Sequence, residues 1–202
     1  MKDLSNQSNV MVSDGISDAE CVRRLQRGET DAFEILLRRH EKAIFNLVYR
    51  MIGDYDEAAE VSQEVFLSAF RAVGQFRGDA NFSTWLYRIA LNHSITRRKS
   101  LGVRQQRRVP IESADPLCDP QPGPSETLEK KQIRERVQHA LSQLDPEDAK
   151  VLLLRDLQDI PYDEVARVLE IPVGTVKSRL HRARQALKAR LAPYFCAARK
   201  AV

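Results

Sequence analysis

The sequence is poor in the residues on which β-sheet folds, disulfide frameworks and membrane spans depend. Only 8 of the 202 residues are glycine and 6% are aromatic, which argues against a β-sandwich or barrel, since those folds need many turns. The three cysteines, Cys21, Cys118 and Cys196, are far apart and lack metal-ligand spacing, so we expect reduced thiols and no metal or other cofactor. No segment approaches the ~18 apolar residues of a membrane span, and the N-terminus has no signal-peptide pattern. We therefore expect a soluble, cytoplasmic protein without membrane insertion.

Basic and acidic residues are segregated along the chain, although the net charge is only +4. Residues 94–108 carry six basic residues and no acid, and residues 175–191 repeat that imbalance with six more. Between these two segments, residues 110–129 carry five acids and no base. Two basic segments separated by an acidic one predict two contacts with a polyanion and a linker that has a different task.

Apolar residues recur at helical spacing through most of the chain, and no segment alternates like a β-strand. Five of the nine prolines fall within residues 110–124, which excludes a regular helix or a central strand there. The sequence therefore predicts an all-α protein with two small helical domains joined by a flexible, proline-rich linker. The domains span residues 17–99 and 125–195, the linker spans residues 100–124, and the tails span residues 1–16 and 196–202.

Capping residues locate several helix starts. Ser17 with Glu20, and Asp54 with Glu57, form capping boxes, in which both side chains are expected to cover unpaired backbone N–H groups. Asp145 precedes a proline at a first helical position, which also favours a helix start. The predicted helices run from Ser17 to about Arg27, up to Gly53, and over residues 54–73, 83–99, 147–158, 162–170 and 175–191.

The segment IPVGTVKSRLHRARQALKARL, residues 171–191, contains no helix breaker after its opening proline and glycine. Together with the two helices before it, this segment predicts a helix-turn-helix. Val176, Leu180 and Leu187 share one helical face, which we expect to pack on a core. Lys177 and His181 lie on another face, near the end of the helix that would enter a major groove. Charge alone leaves open the alternative of a solvated basic face.

Residues 145–187, DPEDAKVLLLRDLQDIPYDEVARVLEIPVGTVKSRLHRARQAL, resemble region 4 of the extracytoplasmic-function (ECF, group 4, sigma-E-like) sigma factors. These are promoter-specificity subunits of bacterial RNA polymerase, and the resemblance implies binding to the duplex −35 element. By position, the candidate −35 contacts are Thr175, Lys177, Ser178, Arg179, His181 and Arg182. Two residues depart from the family pattern. Glu170 replaces a common turn glycine, which is strained if the residue is left-handed, and Pro161 replaces a helix-capping serine or threonine.

Residues 54–100, DYDEAAEVSQEVFLSAFRAVGQFRGDANFSTWLYRIALNHSITRRKS, resemble region 2 of the same family. The absence of a βα pattern argues against a response regulator, the other common context for such a helix-turn-helix. By resemblance, the outer face of the helix at 54–73 docks on the clamp of core RNA polymerase (its β and β′ subunits). The candidate docking residues are Glu60, Gln63 and Glu64, with solvated charges as the alternative; we prefer that alternative for Glu57, which already belongs to a cap.

Four aromatic residues lie within twelve positions beside a basic run, a composition suited to unstacked single-stranded bases. Phe82 and Trp85 also share a face with apolar residues, so a place in the core is an equal alternative for both. By resemblance, the loop FRGDANF captures a flipped base of the melted non-template strand at the −10 element, and the following helix reads neighbouring bases. The candidate −10 contacts are Phe76, Arg77, Gly78, Asp79, Asn81, Phe82, Trp85, Arg88, Asn92, Thr96 and Lys99.

The resemblance implies a non-enzymatic initiation factor whose partners are core RNA polymerase, promoter DNA and an anti-sigma factor. We expect the acidic linker to mimic nascent RNA, with a plain solvated tether as the alternative; neutralising Glu112, Asp115 and Asp119 and comparing abortive with full-length transcripts distinguishes the two. An autonomous helix-turn-helix regulator, which binds duplex DNA without polymerase, is the competing function. No nucleophile–base pair or phosphate-binding loop supports an enzyme.

Overall fold

The computed structural model describes residues 15–107 and 128–199, and every regular element in these two ranges is a helix. The α-helices are α1 (Asp18–Gln26), α2 (Ala32–Ile52), α3 (Tyr55–Ala72), α4 (Phe82–Arg107), α5 (Leu128–Ser142), α6 (Pro146–Leu152), α7 (Tyr162–Leu169) and α8 (Val173–Arg199). A 3₁₀-helix, Val73–Gln75, follows α3, and a π-helix, Leu153–Leu157, follows α6. The all-α prediction is confirmed. The proline-rich segment 110–124, with its proposed RNA-like role, lies outside the described residues.

The predicted helix starts are confirmed, but only half of each capping box forms. The Ser17 hydroxyl accepts a hydrogen bond from the Glu20 N–H at 3.3 Å, and the Asp54 carboxylate accepts one from the Glu57 N–H at 2.9 Å. The side chain of Glu20 binds Arg23 instead of closing its box. A guanidinium is a stronger partner for a carboxylate than a neutral amide, which explains why the reciprocal bond is absent.

Two helices extend past their predicted ends. Helix α4 continues to Arg107, eight residues beyond Lys99, so residues 100–107 are helical although the sequence placed them in the linker. Arginine, leucine and glutamine are good helix formers, and the single Gly102 costs only about 1 kcal/mol. Helix α8 continues past Pro193 to Arg199. The sequence pattern therefore located both helices but not their C-terminal ends.

The first four helices surround a core of fully buried side chains. Leu36, Leu47 and Val48 of α2 pack against Val61 and Val65 of α3, and all five are 0% exposed. Each such side chain contributes roughly 1.5–3 kcal/mol through its removal from water. This core fixes α3 and α4 side by side, so that the outer face of α3 and the start of α4 hold constant positions.

The C-terminal helices form a second packed unit, with buried Val151, Leu154 and Val165 facing the inner side of α8. The two units are in contact. Gln138 of α5 donates from Nε2 to the carbonyl oxygens of Tyr49 and Arg50, at 3.1 and 3.2 Å. Helix α7 also lies against the N-terminal half of α4, where the Thr84 hydroxyl donates a hydrogen bond to Glu164 at 3.0 Å.

The turn before α8 contains a left-handed residue that is not glycine. Glu170 has φ +54° and ψ +43°, which is the condition under which the sequence analysis expects strain at this position. Helix α7 begins at Tyr162, and Pro161 before it supplies no side-chain cap, as predicted. A left-handed conformation brings the Cβ too close to the carbonyl oxygen, at a cost of roughly 1–2 kcal/mol.

We expect Glu170→Gly to be about 1 kcal/mol more stable than Glu170→Ala, because both variants lose the glutamate side chain but only glycine removes the Cβ strain. Urea unfolding of the two proteins measures the difference. At Asp163, inside α7, the same pair of substitutions should give the opposite order, since alanine is favoured in a helix interior. Equal stability of the two Glu170 variants would contradict the strain argument.

Candidate DNA and polymerase interfaces

The turn Ile171–Pro172 and the start of α8 present a polar helix face to solvent. The Pro172 carbonyl accepts hydrogen bonds from the N–H groups of Thr175 and Val176, at 2.9 and 3.1 Å, which starts the helix. Val176 and Leu180 are buried, as predicted. On the opposite side Lys177, Ser178 and His181 are exposed. The helix therefore separates an apolar inner face from a polar face that is open to solvent.

Two of the predicted −35 residues are bound to acidic side chains of α6. Arg182 donates from Nη2 and Nε to the two carboxylate oxygens of Asp148, at 2.8 and 3.2 Å. Arg179 donates to Glu147 at 3.0 Å. Hydrogen bonding to Asp148 raises the pKa of Arg182, so the guanidinium stays positively charged. Because the Arg182 side chain is still 65% exposed, the carboxylate orients the guanidinium without covering it.

Thr175 and Ser178, two further predicted −35 residues, contact each other within α8. The Ser178 hydroxyl donates to the carbonyl oxygen of Thr175 at 3.0 Å, and Thr175 itself is half-buried. Arg184, which the sequence analysis did not select, donates to both carboxylate oxygens of Asp156, at 2.6 and 3.0 Å. Lys177 and His181 are exposed beside these arginines, and a contact with DNA there would not require breaking the ion pairs that hold Arg179 and Arg182.

The loop between the 3₁₀-helix and α4 surrounds a cavity of 260 Å³. Gln26 anchors the start of the loop by donating from Nε2 to the carbonyl oxygens of Val73 and Phe76, at 3.1 and 2.9 Å. Gly78 has φ +78°, a conformation that favours glycine and lets the loop reverse. The cavity is lined by Gln75, Phe76, Arg77, Gly78, Asp79, Ala80, Thr84, Trp85, Arg88, Arg167 and Val168.

Three of the predicted aromatic residues form one cluster. The ring centroids of Phe76 and Trp85 are 5.2 Å apart, and Phe82 lies 6.1 and 5.6 Å from them. Phe82 is only 4% exposed, which favours the core alternative for this residue over base stacking. Phe76 and Trp85 are half-buried and line the cavity. Phe82 therefore supports the two rings that a base could reach.

The polar stripe of α4 continues from this loop along one exposed face. Arg88, Asn92, Thr96 and Lys99 are all exposed. Thr96 donates its hydroxyl to the carbonyl oxygen of Asn92 at 3.0 Å, which leaves the Asn92 amide unaffected. Asn81, in the loop, is likewise exposed. The structure thus places the predicted −10 residues, apart from buried Phe82, in the loop before α4 and along one side of that helix.

The predicted docking residues on α3 belong to an ion-pair network that the sequence did not reveal. Arg97 of α4 donates to the carboxylates of Glu57, Glu60 and Glu64, at 2.5, 2.7 and 2.8 Å. The hydrogen bonds that Arg97 donates to Glu60 and Glu57 raise the pKa of Arg97. The network fixes the side of α3 that carries Glu57, Glu60 and Glu64, which we call its acidic side. Gln63 is exposed beside it.

Beside Gln63, helices α2 and α3 form an open groove of 760 Å³ that is lined mainly by apolar side chains. Leu67 is 56% exposed and Tyr55 is 42% exposed at its edge. Sequence analysis missed Leu67 as a candidate docking residue. Its signal was available, because Leu67 is apolar yet lies off the apolar stripe of the helix, on the side of Gln63.

Comparison with known proteins matches the N-terminal and C-terminal halves of the chain to two regions of one protein family. Residues 36–104 match the family description "Sigma-70 region 2", and residues 134–187 match "Sigma-70, region 4". The chain is 38% identical over 188 residues to the RNA polymerase sigma-H factor of Pseudomonas aeruginosa, covering 87% of this chain and 94% of the relative. It is 34% identical over 193 residues to the ECF RNA polymerase sigma-E factor of Escherichia coli K12, covering 90% and 98%. The chain belongs to the ECF sigma factor family.

The fold of most of the chain also matches a solved sigma factor. The sigma factor RpoE of Bartonella quintana, in complex with the anti-sigma factor NepR, superposes with a TM-score of 0.62 at 25% identity. The match covers 81% of this chain and 98% of that one. Region 2 of the present sigma factor comprises most of α2, all of α3, the loop before α4 and most of α4. Region 4 contains most of α5, all of α6 and α7, and the first half of α8.

Other site types find no support in the described part of this sigma factor. Within residues 15–107 and 128–199, no cluster of three or more His, Cys, Asp or Glu side chains is arranged to hold a metal ion. Among the same residues, no helix is long and apolar enough to cross a membrane. Cys21 is a free thiol in the core, and burial raises its pKa, which makes it unreactive.

Proposed function

We propose that the chain is an alternative sigma factor that binds core RNA polymerase, directs it to promoters through the −35 and −10 elements, and promotes promoter melting. The observation that carries this proposal is the presence, in one chain, of two different nucleic-acid surfaces. The exposed start of α8 fits a duplex groove, and the aromatic-lined cavity before α4 fits an unpaired base. The family membership and the matches to regions 2 and 4 support the same function.

In this proposal the −35 element is read by the N-terminal half of α8. Lys177 and Arg182 contact phosphates or base edges, and Ser178 and His181 supply short hydrogen-bonding groups. The carboxylate of Asp148 orients the guanidinium of Arg182 before DNA arrives. Such preorientation lowers the conformational entropy that is lost on binding.

The −10 element is read as single-stranded DNA. A base leaves the duplex and stacks against Phe76 and Trp85, which contributes about 1–3 kcal/mol for a base on an aromatic ring. The Asn92 amide offers both a donor and an acceptor to a neighbouring base, and Arg88 and Lys99 neutralise phosphates. Melting is driven by capture of the unpaired strand. The protein acts by positioning polymerase and promoter DNA, without catalysing a reaction of its own.

The partners follow from the surfaces and from the relatives. The acidic side of α3 and the apolar groove next to Gln63 form the docking surface for core polymerase, including its β and β′ subunits. The solved complex of the Bartonella sigma factor with an anti-sigma factor supports an anti-sigma partner for this chain as well.

A gel-shift comparison of the chain alone, core polymerase alone and the two together distinguishes this proposal from an autonomous helix-turn-helix regulator. Promoter duplexes are first selected with core polymerase plus the purified chain, and each component is then assayed alone by gel shift. A sigma factor gives a promoter-specific, heparin-resistant complex only when both components are present. Equally specific binding by the chain alone would support the autonomous regulator instead.

We expect Leu67→Asp to weaken binding to core polymerase by roughly tenfold, because a charge replaces an exposed apolar side chain that lines the groove of the proposed docking surface. The dissociation constant of labelled protein and core polymerase, from fluorescence anisotropy, measures this effect. Ile133→Asp is the matched control, since Leu67 and Ile133 are both aliphatic, helical and 56% exposed. An equal loss of affinity in both variants would show that Leu67 is not part of the interface.

A further inference from the structure

The side-chain amide of Gln26, the last residue of α1, spans the start of the loop that surrounds the aromatic-lined cavity. Its Nε2 group donates to the carbonyl oxygens of Val73 and Phe76, at 3.1 and 2.9 Å, although these residues lie 47 and 50 positions further along the chain. Because a side-chain amide has two N–H donors, the two hydrogen bonds use both of them. Gln26 therefore ties α1 to the first residue of the 3₁₀-helix and to the residue that follows it.

The two carbonyl groups differ in what else holds them. The Val73 carbonyl also accepts a hydrogen bond from the Phe76 N–H at 3.1 Å, which is the spacing of a 3₁₀-helix. Phe76 itself has extended backbone angles, φ −69° and ψ +117°, so its carbonyl has left the helical hydrogen-bond pattern. The Gln26 amide thus supplies at Phe76 a hydrogen bond that a continued helix would otherwise supply.

The loop has a second anchor at its far end. The Asn81 carbonyl accepts a hydrogen bond from the Trp85 N–H at 3.1 Å, in the first turn of α4. Between the two anchors lies Gly78, with φ +78°, where the backbone rotates easily because glycine carries no Cβ. The position of Phe76 relative to Trp85 therefore depends on the anchor that Gln26 provides.

Phe76 is the residue for which this anchor has a functional consequence. Its ring lines the cavity of 260 Å³, and its centroid lies 5.2 Å from that of Trp85. A binding site that is ordered before its ligand arrives loses less conformational entropy on binding than a mobile one. An anchored Phe76 is therefore expected to stack on a base more favourably than a Phe76 that moves with the loop.

The opposite end of α1 is held by contacts that do not involve Gln26. The Asp18 carboxylate accepts a hydrogen bond from Arg39 at 3.0 Å and lies 2.6 Å from His40 Nε2. The His40 ring lies 5.6 Å from Phe82, the buried ring of the aromatic cluster. Helix α1 also buries an apolar face, formed by Cys21, Val22 and Leu25. Removing the Gln26 amide should therefore release the loop without displacing α1.

We propose that Gln26 is a positioning residue for base capture at the −10 element, because its amide fixes the backbone at Phe76 and holds the cavity in the shape that receives the base. The inference rests on the proposed function, since it requires an unpaired base to enter this cavity. Gln26 is not one of the described residues that line the cavity, so it acts through Phe76. Its contribution should consequently appear only when a base is present to be captured.

The test is a double-mutant cycle between Gln26 and the captured base. The protein is used as holoenzyme with core polymerase. The probe is a fluorescent promoter fragment, selected by run-off transcription, whose −10 element is premelted by mismatches and whose non-template nucleotides are replaced one at a time by an abasic site. With the wild type, the abasic site at the captured position should weaken binding by roughly tenfold, the loss of one stacked base. We call this factor the abasic penalty.

Gln26→Met keeps a side chain of similar length without an N–H donor. We expect it to bind the intact probe roughly fivefold more weakly than the wild type and the abasic probe equally well, so that the abasic penalty falls to about twofold. Gln26→Lys restores a donor, because an ammonium group carries N–H groups, and should recover most of the penalty. The added charge affects the intact and abasic probes alike, so it cancels in the penalty.

Gln132→Met is the matched control, since Gln132 is also an exposed helical glutamine but lies on α5, outside region 2. It should keep the full abasic penalty. If Gln26→Met weakens binding of the intact and abasic probes equally, or loses its affinity for core polymerase, Gln26 supports region 2 as a whole and the proposal is overturned. Equal penalties for Gln26→Met and Gln26→Lys would overturn it too, because the effect would not depend on an N–H donor.

The wild-type protein separates this inference from the proposed function. If no abasic site in the −10 element weakens its binding, base capture itself is refuted. If one abasic site does so and Gln26→Met retains the full penalty there, only the positioning role of Gln26 is refuted.

Discussion

Arg182→Ala is expected to lower transcription from promoters that carry the −35 element by roughly 10- to 100-fold, since each arginine contact with DNA contributes about 1–3 kcal/mol. Arg182 projects from the exposed side of α8, where it is 65% exposed. Binding to core polymerase should not change, because the docking surface lies on α2 and α3 of region 2. Run-off transcription and a core-binding assay, performed on the same preparations, measure the two quantities.

The structure supplies the control that this experiment needs. Arg182 also binds Asp148, which links α6 to α8, so its loss could act through the fold. Asp148→Asn weakens the same link while keeping the arginine, and an asparagine oxygen can still accept one of the two hydrogen bonds. If Arg182 contacts DNA, only Arg182→Ala abolishes dependence on the −35 element. If both variants lose transcription equally, the residue supports the domain and does not read DNA.

Asn92→Ala is expected to reduce open-complex formation by roughly 10- to 50-fold, because the alanine cannot make the paired hydrogen bonds of an amide to a base. Asn92 is exposed on α4, so the substitution should leave the fold intact. Permanganate reactivity of unpaired thymines at the −10 element measures opening directly. The defect should be specific to melting, with formation of the closed complex unchanged.

Asn46→Ala is the matched control for Asn92, since Asn46 is also an exposed asparagine within a helix of region 2. It should melt promoters as the wild type does. If the Asn92→Ala protein melts promoters as the wild type does, Asn92 is not part of the −10 site. The candidate site would then consist of the loop at residues 76–81 and the two accessible aromatic rings.

Features that depend on a few neighbouring residues could be predicted from the sequence. The caps at Ser17, Asp54 and Asp145 and the buried face of α8 all follow from local backbone chemistry and helical spacing. The end of α4 was predicted eight residues too early, since no proline or glycine C-cap stands at Lys99 to mark a helix end. Proline is also an uncertain stop signal, because α8 continues past Pro193.

Contacts between distant segments could not be predicted in this way. Arg97 lies 33 to 40 residues from the glutamates that it binds, and Arg182 lies 34 residues from Asp148. A single sequence shows that these residues are charged but not which charges meet. The same limit applies to Phe82, whose helical position allowed either burial or stacking until its exposure of 4% was known.

Promoter-dependent run-off transcription tests the central claim most directly. Core RNA polymerase, the purified chain and a library of promoter fragments are combined, and transcripts are sequenced to identify the templates used. The proposed function predicts transcripts that require the chain and that come from templates sharing two separated elements, at −35 and −10. No promoter-specific transcript, or transcripts that are the same with and without the chain, would contradict it.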